Sequence, residues 1–436
     1  MNWRRYMADA TAGLTVSFAA ISLGAAFGAM SGRGAFAGMI GAAVIPIIAS
    51  IFGGTRLQAS GPTAPMTAVS ALTVAFAYDN FADKMLAEQF ITLVFMLNAI
   101  FLLLAALMRL GKLISFVPNV VILGFMNGIA FLIWKDQFAK IFSIGTDQVM
   151  QGGIWLNAIL MLITFGLIYG ITYSLKKFNV RQSIRSFVSG VLWCIIIMTA
   201  IAVIFVIPAE KVTLGNTLGS FGEFATLIAN YFPSEILQQE YIMQAIPLAG
   251  QLTLLAYLDS LLTSLVIDRM THEKTKLNKE LFAQGLANGT SALFQGIPGA
   301  QATIRSVLLI KEGAVTRLAG VLIGVFALLS ILVFKDYLSL VPAAVFAGVL
   351  LKAGIDVCDK DFVRNYLKLR WYQSSQRNIQ FGIILYTTAI TVFVDLNIAV
   401  LTGTLLYYGL KFFLKTQDAE SDLSEVSEHE SKLITG

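Results

Sequence analysis

The chain has 436 residues, 57% of them hydrophobic and only 13% charged, with a mean hydropathy of +0.75; a soluble core of this size cannot bury so much apolar side chain, so a bilayer is the natural solvent. Two cysteines far apart, Cys194 and Cys358, and two histidines in charged stretches, His272 and His429, exclude a disulfide framework and a metal cluster. The net charge of +5 comes from basic residues lying between apolar runs, which orients a membrane protein and leaves no basic domain for nucleic acid.

A helix crosses the hydrocarbon with about twenty apolar residues, each adding about 1.5 Å. The first run, from Met7 to Met30 after a basic start, lacks a cleavage site and is read as a span rather than a leader. Runs of spanning length follow the order 7–28, 35–54, 88–109, 117–134, 154–175, 185–208, 243–268, 278–296, 312–334, 337–355, 378–393 and 395–416. Two elements, Ala64 to Ala77 and Ala302 to Lys311, are too short and are introduced by glycine and proline. Fourteen elements result. With both termini cytoplasmic and alternating sides, the cytoplasmic segments collect Arg4, Arg5, Arg56, Arg109, Lys112, Lys176 and Lys177 and, in the second half, Arg269, Lys274, Arg364 and Lys368 among others; the outer segments keep Arg33, Lys84, Lys135, Lys140, Lys211 and Lys335. That asymmetry obeys the positive-inside rule.

The halves echo each other. PNVVILGFMNGI from Pro118 is answered by PAAVFAGVLLKAGI from Pro342, and upstream of each lies a broken element, GPTAPMT from Gly61 and GIPGAQATIRS from Gly296. Seven is odd, so two sets of seven spans are inverted. The expected division is a first repeat over 1–208, an outer connector over 209–242 with a helix near Phe221 to Tyr231, a second repeat over 243–416, and an acidic disordered tail over 417–436.

Paired interrupted helices in inverted repeats point to a transporter's midplane site. A helix that begins inside the membrane presents unpaired N–H groups and the positive end of its dipole, which favour an anion. The expected donors lie around Pro65, Met66 and Thr67 and around Ala302, Thr303 and Ile304, with Arg305 adding a full charge and Phe27 an aromatic wall. Asp259 lies deep within a span, where an ionisable group is costly and by default functional. Asp259 and Thr263 are four apart, share a helix face and can offer oxygens to sodium or a proton site; the structural alternative is a fixed Asp259–Arg305 ion pair. Asp9, Asp79, Asp268 and Asp395 lie near span ends and are expected to meet water or headgroups. Asn288-Gly289-Thr290 fits the glycosylation pattern but falls inside a span. No nucleophile, base and orienting acid recur together, so an enzyme is not expected.

These residues resemble the sulfate permease (SulP) anion transporters from about Asp9 to Lys415. The carriers are FGGTRLQASGPTAPMT from Phe52, PNVVILGFMNGI from Pro118, LDSLLTSLVIDRMT from Leu258 and NKELFAQGLANGTSALFQGIPGAQATIRS from Asn278. The resemblance implies an all-α membrane fold of fourteen segments, a UraA-like 7+7 inverted repeat with two half-helices. It divides into a core of about 7–110 and 243–334 and a gate of about 111–208 and 335–416. Asp259-Ser260-Leu261-Leu262-Thr263 is most similar to the family's bicarbonate-transporting branch, which implies sodium ligands at Asp259, Thr263, Gln301 and Thr303, with the anion against Phe27, Thr67 and Ala302; the helix-start reading adds Thr303 and Arg305 to the anion side. Ser22-Leu23 stands where many members have Pro-Gln, which weighs against sulfate. The usual C-terminal STAS domain is expected to be lacking, since only the acidic tail follows Lys415. The expectation is a multi-pass bacterial inner-membrane protein that can pair as a homodimer, with no cofactor beyond a coupling sodium ion. It carries a small inorganic anion, with bicarbonate leading; the alternatives are proton-coupled or exchanging sulfate or dicarboxylate transport and, further off, an anion channel.

Overall fold

The computed structural model describes residues 3–144, 151–177, 190–211, 232–233, 236–338, 340–358, 364, 366, 375–394 and 396–413. Among them run fourteen α-helices: α1 Trp3–Met30, α2 Ala35–Phe52, α3 Ala64–Asn80, α4 Lys84–Leu107, α5 Asn119–Phe142, α6 Gly153–Lys177, α7 Gly190–Ile204, α8 Gln239–Thr271, α9 Leu277–Leu293, α10 Thr303–Lys311, α11 Leu318–Leu338, α12 Ala343–Val357, α13 Ser375–Phe393 and α14 Leu396–Phe413. Six of them, α1, α2, α4, α5, α6 and α8, are long and apolar enough by length and composition to cross a bilayer. The expected helix near Phe221 to Tyr231 and the tail from Gln417 lie outside the described residues.

Packing divides the chain into two units, Met1–Ile114 with Leu132–Ile355 and Ser115–Phe131 with Asp356–Gly436. Within the first unit α4 packs on α9 and α2 on α11, while α8 packs on α4 and α1 on α11. Exchanging α1–α7 for α8–α14 turns each relation of these pairs into the other, as an inverted repeat requires. Close approach is bought with small residues, as is usual between membrane helices: a Cβ on Gly285 would lie 3.0 Å from Ala99 O on α4, and one on Gly38 would fall on the backbone of Gly24 and Gly28 in α1. The second pair of echoing motifs follows the same symmetry. A Cβ on Gly348 of α12 would lie 2.7 Å from Thr164 Cβ on α6, and, inside the second unit, one on Gly124 of α5 would lie 2.7 Å from Thr387 Cβ on α13. Thr388 of α13 also donates to Gly124 O at 2.9 Å.

The run expected to begin at 312 starts as a helix only at Leu318. Residues before it form a turn with Gly313 at φ 84°, and Asp9 closes that turn: its Oδ1 accepts from Val315 N at 2.7 Å and Thr316 N at 3.0 Å, and its Oδ2 from Thr316 Oγ1. Asp9 is therefore fully buried (0% exposed) and holds the turn that leads into α11, which corrects the expectation that it meets water; its carboxylate satisfies the amides of Val315 and Thr316 just ahead of the helix. Asp268 is half-buried and accepts from Thr275 N and Thr275 Oγ1, the latter at 2.6 Å. Asp79 is exposed and Asp395 lies outside the described residues.

Candidate functional site

The two broken elements meet through their connectors. Ser60–Gly61 (β1) and Ala300–Gln301 (β2) pair antiparallel, Ser60 with Gln301 and Gly61 with Ala300. α3 starts directly after β1 and α10 directly after β2, so one short sheet fixes both helix starts. The approach is close enough to require glycine: a Cβ on Gly299 would fall on the Gly61 carbonyl, and Gly61 itself has φ 145° with the Arg305 guanidinium 3.1 Å from where its Cβ would be. Buried side chains clamp the connectors from behind. Asn288 accepts from Gly299 N at 2.7 Å and donates to Gly299 O at 3.0 Å; Gln284 donates to Ser60 Oγ at 2.8 Å; Ser306 Oγ accepts from Ala59 N at 3.0 Å. Asn288 is 0% exposed, which accounts for its glycosylation pattern as core packing.

The helix starts differ in what they leave open. At α3, Thr67 N donates to Thr63 O at 2.9 Å and Thr67 Oγ1 to the same carbonyl at 2.7 Å. The Thr67 amide, expected as a donor, is thus the first amide of the helix ladder, and because Pro65 has no N–H the open donors are Ala64 and Met66. At α10, Ala302 N donates to Ala59 O at 3.1 Å and the ladder begins with Ser306 N to Ala302 O at 2.9 Å, so the amides ahead of the ladder belong to Thr303, Ile304 and Arg305. Neither start carries a side-chain cap. Phe27 is buried (5% exposed) near the end of α1, a helix that packs on α3.

α8 brings the acid. Asp259 Oδ2 accepts from Thr63 Oγ1 at 2.8 Å. One turn on, Thr263 Oγ1 lies 3.1 Å from Gln301 O and 2.6 Å from Thr303 Oγ1. Thr263, Gln301 and Thr303 are therefore brought together, and Asp259 is tied to the other broken helix. Asp259 and Arg305 form no ion pair: Arg305 is 3% exposed and donates from Nη2 to Pro62 O at 2.8 Å, so the fixed pair considered from the sequence is replaced by a bond from cation to backbone. Such a set of carboxylate, hydroxyl and carbonyl oxygens suits a hard cation. Three residues were missed from sequence. Thr63 is one; Ser260 and Ser264 are the others, with Ser260 Oγ accepting from Gln301 N at 3.2 Å and Ser264 Oγ donating to Gln301 Oε1 at 2.8 Å. Their signal was available: Ser260, Thr263 and Ser264 stand at i, i+3 and i+4 and share a helix face.

From Ser264 the hydroxyls continue through Thr55 at 3.0 Å and Thr275 at 3.1 Å to Asp268, where a cavity of about 230 Å³ opens, lined by Arg56, Asp268, Lys274 and Arg317 among others.

The sulfate permease family pattern matches residues 6–373, and the chain is 31% identical over 433 residues to "Putative sulfate transporter YvdB" of Bacillus subtilis, covering 98% of this chain and 77% of that protein. The chain belongs to the sulfate permease family. A second relative of this family member is the bicarbonate transporter BicA of Picosynechococcus, 31% identical over 420 residues, 92% of this chain and 69% of that one. Among solved structures, the transmembrane domain of a cyanobacterium bicarbonate transporter BicA aligns with a TM-score of 0.76 at 27% identity, covering 92% of this chain and 98% of that one. Murine solute carrier 26 family member A9 aligns with a TM-score of 0.72 at 13% identity, over 96% of this chain and 70% of its own, a likeness of fold. This sulfate permease family member is a multi-pass integral membrane anion transporter and not an enzyme.

Proposed function

We propose that the protein is a sodium-coupled symporter of a small inorganic anion, with bicarbonate as the leading substrate. The observation that carries the reading is the convergence of two open helix starts with the oxygens of Asp259, Thr263, Gln301 and Thr303, donors for an anion beside acceptors for a cation. The anion binds the amides at α3 and α10, with Arg305 supplying positive charge and Phe27, Thr67 and Ala302 lining the place; sodium binds the oxygens of α8 and β2. Alternating access moves a core of about 7–110 and 243–334 past a gate of about 111–208 and 335–416, in a bacterial inner membrane with both termini cytoplasmic. Similarity to BicA supports bicarbonate.

Similarity to YvdB, named for sulfate, supports a second reading, proton-coupled sulfate transport with Asp259 as the proton site. Uptake into proteoliposomes, competed by bicarbonate, sulfate, chloride and fumarate with and without a sodium gradient, separates the two. Collapse without sodium, and loss of uptake in Asp259→Asn, is expected; full uptake in sodium-free buffer driven by an inward pH gradient would establish the second reading instead.

A further inference from the structure

We infer that Thr63 is the residue through which a cation at Asp259 strengthens the anion site, a role that rests on the sodium-coupled reading above. Thr63 occupies the N-cap of α3, with φ −122° and ψ 158°. A threonine there ordinarily turns its oxygen back to accept an N–H of the first turn. Thr63 makes no such bond. Its hydroxyl is aimed across the site and donates to Asp259 Oδ2 at 2.8 Å, on a residue 196 positions away. Two consequences follow from one side chain. The α3 amides stay open for an anion, and the single hydrogen of the hydroxyl is spent on the carboxylate rather than on that anion.

The backbone of this segment is held on both sides. Arg305 Nη2 donates to Pro62 O at 2.8 Å, and Thr63 O accepts both the amide and the hydroxyl of Thr67. With that backbone held, the Thr63 hydroxyl responds by rotation about χ1, for which a threonine has three staggered wells. Thr63 bonds Oδ2 alone of the two carboxylate oxygens, and a cation that binds Asp259 through Oδ2, together with the oxygens of Thr263 and Gln301, competes with the Thr63 hydroxyl for that oxygen. The hydroxyl then rotates toward the open end of α3 and adds a donor to the bound anion. Cation and anion therefore bind with positive cooperativity, and by linkage each raises the affinity of the other by the same factor.

The test uses the full-length protein in detergent, with sodium titrated calorimetrically with and without saturating bicarbonate or sulfate, whichever the uptake panel selects. For the unaltered protein the anion should tighten sodium binding on the order of ten-fold. Thr63→Ser, which keeps the hydroxyl, should retain that factor. Thr63→Val should reduce it to below about two-fold, while sodium binding without anion stays as tight as before or tightens, because Asp259 has lost a competing donor. Thr63→Ala removes the same donor with less bulk and carries the test if the valine variant does not assemble. A wild-type factor in Thr63→Val or Thr63→Ala overturns the inference and leaves sodium coupling standing, as does loss of sodium binding itself in both. A protein whose anion binding ignores sodium altogether overturns the coupled reading and the inference together.

Discussion

Thr263 places one hydroxyl between two oxygens, 3.1 Å from Gln301 O and 2.6 Å from Thr303 Oγ1. It is buried (2% exposed), so valine fills its volume while removing one oxygen from the proposed cation set. Losing one such partner costs about 1.5 kcal/mol at the upper end of the range for a hydrogen bond, or roughly ten-fold in affinity. Thr263→Val is therefore expected to raise half-saturating sodium about ten-fold in an uptake assay, with anion half-saturation at high sodium changed by less than about two-fold; a rise in the anion constant alone would move Thr263 from the cation side of the site to the anion side. Asp259 and Thr263 were legible in the sequence because an acid deep in an apolar run is costly, and a hydroxyl four residues on must share its face. Thr63 was not. Nothing local distinguishes a threonine that caps its own helix from one that reaches to another, since that choice is made by a residue brought near only by the fold. The same holds for Arg305, whose bond to Pro62 O depends on the β1–β2 pairing rather than on any spacing.

The packing of α1 on α2 shows how tightly an element boundary can be set. A Cβ on Gly38 would fall on Gly24 O and lie 2.5 Å from Gly28 N, and one on Gly28 would lie 2.6 Å from Gly38 N. The obstacle is backbone, which cannot rotate away, so Gly38→Ala must push the two helices apart and shift Phe27, which lies between Gly24 and Gly28. Overpacking of this kind costs about 1–3 kcal/mol or more. Gly166→Ala on α6 is the control, since its Cβ would meet open space. In thermal unfolding of the detergent-purified protein followed by tryptophan fluorescence, Gly38→Ala should melt well below the parent and Gly166→Ala close to it; equal midpoints would show that the crossing tolerates a methyl group. Element existence was legible because about twenty apolar residues leave few alternatives to a spanning helix. Ends were less so. The run placed at 312 opens on Glu312 and a left-handed Gly313, Asp9 ties Val315 and Thr316 into a turn from 306 and 307 residues away, and α11 starts only at Leu318.

At the scale of the molecule, the inverted repeat was legible because its glycine and proline punctuation recurs, whereas the bonds that hold the repeats together belong to neither one. Arg33, counted from sequence as an outer loop charge, is only 6% exposed. It pairs with Glu88 of α4 at 3.0 Å, donates to Thr92 at 3.3 Å and to Gln295 beyond α9, and lies over the Phe95 ring at 5.5 Å; Tyr78 at the end of α3 donates to Glu88 at 2.6 Å. One cluster thus ties α1–α2, α3 and α4 of the first repeat to the connector of the second, the join a core needs if it is to carry both broken helices as one body. Removing one partner of a buried ion pair strands the other, at a cost of about 3–5 kcal/mol, whereas replacing both with apolar side chains is often near neutral. Arg33→Met and Glu88→Met are each expected to lower the melting midpoint sharply, and the double variant to recover at least about half of that loss, because no charge is then left alone in the interior. Losses that simply add in the double variant would mean the two charges act independently, each held by its neutral neighbours. Recovery of stability together with recovery of uptake would show that the cluster serves transport by keeping the core rigid, since neither charge would then be needed for the anion itself.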